Sequence, residues 1–182
     1  MSPLAYFFAS LRETGAFELS SVADRSDPES FLAGGGDVGR LIRERDWSGS
    51  PLGPPARWPE ELRTILALML SSRFPMFVAW GENLSLIYND AYAEILADKH
   101  PAALGAAFYE VWSETLEENS PRLATALAGG TAYAENREAL VNRGPRPERA
   151  WFTFSYSPIR DRDGNVGGAF CAISETSEQW RV

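Results

Sequence analysis

From Trp151 to Ile159, large aromatic residues alternate with small polar ones. A period of two predicts a strand with one buried face, carrying Phe152, Phe154 and Tyr156. Asp163-Gly164 then predicts a tight primed hairpin turn, because such turns need positive φ. Val166 to Ile173 reads as the next strand, antiparallel to the first. Gly167 and Gly168 in it mark a bulge or a close approach to the backbone. Upstream, Met76–Trp80 and Leu84–Tyr88 are short apolar runs split by the turn Gly81-Glu82-Asn83, and residues 131–141 are again extended. Between and before these strands the period changes to that of helices. Asp37 can cap a helix from Val38 to Arg45. Pro59 can open another, whose stripe is Leu62, Ile65, Leu66, Met69 and Leu70. Asn89 is a good cap for a short helix with Tyr92, Ile95 and Leu96 inward. Phe108, Val111 and Trp112 have helical spacing. Ser120 and Pro121 open a last helix that Gly129 closes. Two strands, several short helices and three strands imply α+β: a five-stranded antiparallel sheet with helices across one face.

Residues 1–36 read as an extension. Leu4 to Phe17 suits a short amphipathic helix, and Gly34-Gly35-Gly36 is linker chemistry. A length of 182 residues fits one domain plus such an extension. The net charge of -8 argues against nucleic acid and against an anionic membrane surface. One cysteine excludes an internal disulfide and fits a reducing cytoplasm. No apolar run reaches the roughly 18 residues of a spanning helix. Leu4 to Ala9 lacks the flanks of a signal peptide, which leaves a docking, partner-contacting or disordered segment.

The strand pair followed by an Asn-capped helix resembles a PAS domain, as does the ending from Asp161 to Thr176. Asp46-Trp47, Pro51-Leu52-Gly53-Pro54-Pro55, Trp58-Pro59, Ser72-Arg73-Phe74-Pro75-Met76, Tyr88-Asn89-Asp90-Ala91-Tyr92 and Lys99-His100-Pro101 are similar to PAS modules at the N-termini of bacterial sensor histidine kinases. The resemblance covers residues 37–178, with 179–182 as the start of a signalling linker. It implies a PAS fold and a non-catalytic sensory and dimerisation role. The implied partners are a second copy, and a kinase-type output domain or another signalling protein. The sequence carries no phospho-acceptor histidine region or ATP-binding motif. It reads either as a fragment of a larger sensor or as a stand-alone module.

Candidate chemistry is sparse. Trp80, Tyr88, Tyr92, Phe108, Trp112, Phe152, Phe154 and Tyr156 either line an apolar pocket or form ordinary core. Tyr156, Asn136, Thr153 and Ser155 could direct a ligand by hydrogen bonds. A flavin or a heme is the alternative content of such a pocket. His100 is the one imidazole for a heme, and it reads better as a capping or surface residue. Cys171, on the last strand, is a further pocket candidate, placed for a small buried hydrophobe rather than for the reactive cysteine of flavin-binding relatives. No Gly-x-Ser-x-Gly elbow and no Cys/His cluster supports an enzyme or a metal site. Glu114, Glu117 and Glu118 read as a solvated helix face.

Overall fold

A computed structural model of the protein describes residues 27–141 and 146–177. The expected helix from Leu4 to Phe17, the linker at 179–182 and residues 142–145 of the loop before Trp151 lie outside the described residues. Five strands form one sheet: β1 (Met76–Trp80), β2 (Ser85–Tyr88), β3 (Ala132–Val141), β4 (Glu148–Arg160) and β5 (Val166–Glu175). Their spatial order is β2-β1-β5-β4-β3, and every neighbouring pair is antiparallel. The helices are α1 (Gly36–Glu44), α2 (Glu60–Leu70), α3 (Asp90–Leu96), α4 (Phe108–Val111) and α5 (Leu116–Leu127).

The expected α+β architecture is present. Register explains which side chains meet. Phe77 pairs with Tyr88 and Cys171, and Cys171 pairs with Tyr156, so these four side chains share one face. That face is roofed by α3, α4 and α5. Val78, Trp80, Ile159 and Phe170 fall on the opposite face. There α2 lies alongside, with Thr64 and Ile65 across a groove from Ser157, Ile159 and Phe170. One edge of the sheet is protected: Leu86 N–H donates to the Ala106 carbonyl, and Gly105 N–H donates back to Leu86.

Local expectations were corrected in three places. Helix α1 begins at Gly36 after Gly35, and Asp37 sits in its first turn instead of capping it. Helix α5 begins at Leu116, with Pro121 inside it rather than at its start. The β4–β5 connection is a longer loop, Asp161–Asn165, not a two-residue turn. Asp161 accepts from the backbone N–H groups of Asp163 and Asn165, and only Gly164 takes positive φ (87°). The strand glycines do mark a close approach. A Cβ on Gly167 would lie 2.5 Å from the Trp80 ring, and one on Gly168 would lie 2.5 Å from the Ala79 carbonyl oxygen.

The N-terminal segment is packed onto the core. Trp47 and Trp58 meet edge to face at 5.2 Å and donate their indole N–H groups to Ile42 and Gly53. Two adjacent residues at the start of α3 fasten this segment. Asn89 is fully buried, and its Nδ2 donates to the carbonyls of Met69, Ser72 and Phe74, where α2 ends. Its Oδ1 accepts from Met76 N–H and Tyr92 N–H. Asp90 accepts from the N–H groups of Asp37 (3.0 Å) and Val38 (2.7 Å), at the positive end of α1.

Candidate functional site

The strand alternation that buries Phe152, Phe154 and Tyr156 points them at the helical roof. Phe77 lies among the roof rings, with centroids 5.0 Å from Tyr92, 5.7 Å from Phe108 and 5.9 Å from Tyr156. Trp112 closes the set, its ring 6.3 Å from Tyr92. Lys99 lies over the outer face of that indole at 4.2 Å and donates to the Val111 carbonyl, with Glu114 as its ion-pair partner. These rings fill most of the space between sheet and helices. A cavity of about 60 Å³ remains, or about 550 Å³ if all space between atoms and the open mouth are counted. The enclosed figure is the one comparable with ligand cavities. It exceeds the roughly 10–15 Å³ that one water needs, but falls far below the 300–1,000 Å³ typical of drug-sized ligands.

The cavity is apolar within and polar at one end. Ile95 and Ile173 join the aromatic rings inside. Thr115, Glu118 and Asn119 on the α5 side and Arg137 on β3 line the polar end. Burial pushes the phenols of Tyr92 and Tyr156 well above the usual tyrosine range, with the neighbouring Cys171 adding to both, so both remain neutral hydroxyls. The Trp112 indole N–H is buried beside the Tyr92 hydroxyl and has no partner of good hydrogen-bond geometry among the described residues.

Of the residues singled out in the sequence, Tyr92, Phe108, Trp112, Phe152, Phe154 and Tyr156 line this cavity. Trp80 does not: alternation along β1 turns it to the opposite face, over Gly167 and Gly168. Tyr88 shares the cavity face, but its hydroxyl is 2.9 Å from His100 Nδ1, away from the opening. Asn136 sits in a bulge of β3 with φ +48°. Cys171 is fully buried and does not reach the cavity. Thr153 is on the far face, where its hydroxyl accepts from Asn136 N–H. Phe77, Ile95, Ile173 and the polar residues at the mouth had not been expected. Phe77 was legible from the alternation of β1, whereas Arg137 depends on the bulge.

A flavin or heme does not fit this site as built. The volume is too small, the single imidazole is held by Tyr88, and the single thiol lies away from the cavity. Burial also pushes the Cys171 thiol well above its usual value. Cys171 in the folded protein is therefore expected to resist iodoacetamide at pH 8. Its labelling should follow global unfolding in urea. Fast labelling of the native protein would contradict the burial.

Among the described residues no group of three His, Cys, Asp or Glu side chains is placed to hold a metal, and no helix is long and apolar enough to cross a membrane. A family model described as the PAS fold matches residues 71–181. No curated protein sequence matches the chain. Among solved structures, the chain is similar to an RNA-binding light-oxygen-voltage receptor at 18% identity and TM-score 0.50, over 64% of this chain and 33% of that one. It is also similar to a LOV protein of Rhodobacter sphaeroides at 11% identity and TM-score 0.51, over 64% and 67%. A sensory box sensor histidine kinase of Vibrio cholerae aligns at 16% identity and TM-score 0.44, over 63% and 90%. The chain thus spans about a third of the length of the receptor. At these identities the likeness concerns the fold.

Proposed function

The chain belongs to the PAS-fold family, and from that premise we propose that it is a non-catalytic sensory module of bacterial signal transduction. A small molecule in the aromatic cavity is the signal. A second copy and a kinase-type output domain or partner protein are the recipients, in the cytoplasm. The observation that carries this reading is the placement of Tyr92. It lines the cavity, and its backbone N–H is held by Asn89, which also holds the end of α2. An occupant that shifts α3 therefore strains the same side chain that fastens the N-terminal helices.

Native mass spectrometry of the freshly purified full chain tests ligand and assembly together. The expected spectrum is a dimer carrying a bound mass well below that of a flavin. A monomer at every concentration would remove the dimer. A chain that never carries or takes up a small molecule would remove the sensory cavity.

A further inference from the structure

We infer that the cavity selects a small monocarboxylate with an apolar tail, and that Arg137 is the residue that reads its charge. This rests on the cavity being the sensory site and specifies the class of its occupant. The key feature is the bulge in β3. Ala132 pairs with Tyr156 and Ala134 with Phe154, so even-numbered residues begin on the cavity face. Continued without interruption, that alternation would bring Asn136 to the cavity and turn Arg137 away. The register shifts between Ala134 and Arg137, and Asn136 takes φ +48°. Arg137 then pairs with Phe152, a cavity residue, and lines the mouth itself. Bulges recur where a strand must re-aim one side chain, and asparagine is among the residues that accept the left-handed backbone such a bulge needs. Here Asn136 N–H is tied to the Thr153 hydroxyl at 3.1 Å.

The re-aimed guanidinium has no hydrogen bond or ion pair among the described residues. The adjacent carboxylate, Glu138, is paired instead with Arg149 at 2.8 Å. A second cation reinforces the field: the Arg122 guanidinium lies 5.0 Å from the Phe154 ring centroid. Glu118 opposes them from the α5 side. An exposed fork of donors above an aromatic floor suits a carboxylate head and a short apolar tail. The enclosed volume of about 60 Å³ takes only a few carbons of that tail, so a ring enters in part, from the open mouth.

The test is isothermal titration calorimetry on the full chain with benzoate, phenylacetate and isobutyrate, and with benzamide as the neutral match for benzoate. Benzoate is expected to bind about tenfold more tightly than benzamide, with the difference shrinking as salt rises. Arg137→Gln should erase that preference while leaving benzamide binding intact. Arg137 is exposed on an edge strand, so the variant is expected to fold, which circular dichroism checks. Glu118→Gln should tighten benzoate binding. Equal affinity for benzoate and benzamide, or unchanged benzoate affinity in Arg137→Gln, overturns the charge assignment and leaves a small-molecule cavity standing. No binding of any probe overturns the assignment and the sensory cavity together.

Discussion

Replacing Asn89 with alanine will lower the stability of the protein by about 3–5 kcal/mol in urea unfolding. The size follows from what the carboxamide leaves behind. Its Nδ2 serves three carbonyls at 2.8–3.2 Å, and its Oδ1 serves two backbone N–H groups at 3.1 Å. The residue is fully buried, so water does not replace these bonds without opening the structure. Each orphaned buried group costs about 1–3 kcal/mol, and partial relaxation keeps the sum below the maximum. Asn89→Asp is the sharper variant. It preserves shape and both accepted bonds but turns a carboxylate oxygen toward three carbonyl oxygens. It should be at least as destabilising as alanine. A loss under about 1 kcal/mol for Asn89→Ala would mean that the turn after α2 is held by other groups.

The same residue shows how far the sequence could be read. That Asn89 caps a helix follows from its type and position, and the cap is present. That its other end gathers three carbonyls from residues 69–74 does not, because those bonds join segments brought together only by folding. Alternation along β4 gave the inward side of Phe152, Phe154 and Tyr156, since a strand's side-chain period is rigid. It failed in β3, where one inserted residue at Asn136 exchanges the faces and no local signal announces it. Trp80 was misplaced for a related reason. An aromatic residue suggests a pocket, yet β1 is buried on both faces, and the ring belongs to the side where the two glycines of β5 make room. Pro121 departs from its usual place in a helix. Its missing N–H suits the first turn of a helix, but α5 continues through it. The Arg122 guanidinium reaches back to the Glu118 carbonyl, and the Thr125 hydroxyl reaches the carbonyl of Pro121.

Removing the Asp90 carboxylate will release α1 while the sheet stays folded. Helix α1 has no side-chain cap of its own, because Gly35 occupies the capping position. Its first N–H groups are capped from α3 instead, by one carboxylate oxygen each. Gly36 at φ +65° allows this approach, since a Cβ there would lie 1.9 Å from Asp90 Oδ2. Bonds from N–H groups to a charged acceptor contribute about 1.5–3 kcal/mol, so Asp90→Ala should speed hydrogen exchange across residues 36–44 roughly ten- to a hundredfold. Strand amides in β1, β4 and β5 should change far less. Gly36→Ala should give the same pattern, and the double variant little more, because both substitutions break one junction. This junction also makes the sensory reading measurable. Tyr92 is two residues from Asp90 on the same short helix, so a cavity occupant that moves α3 alters the cap on α1. Benzoate should therefore change exchange in α1 of the wild-type chain and leave it unchanged in Asp90→Ala. Equal responses in both would mean that the cavity and the N-terminal helices are coupled by another route, or not at all.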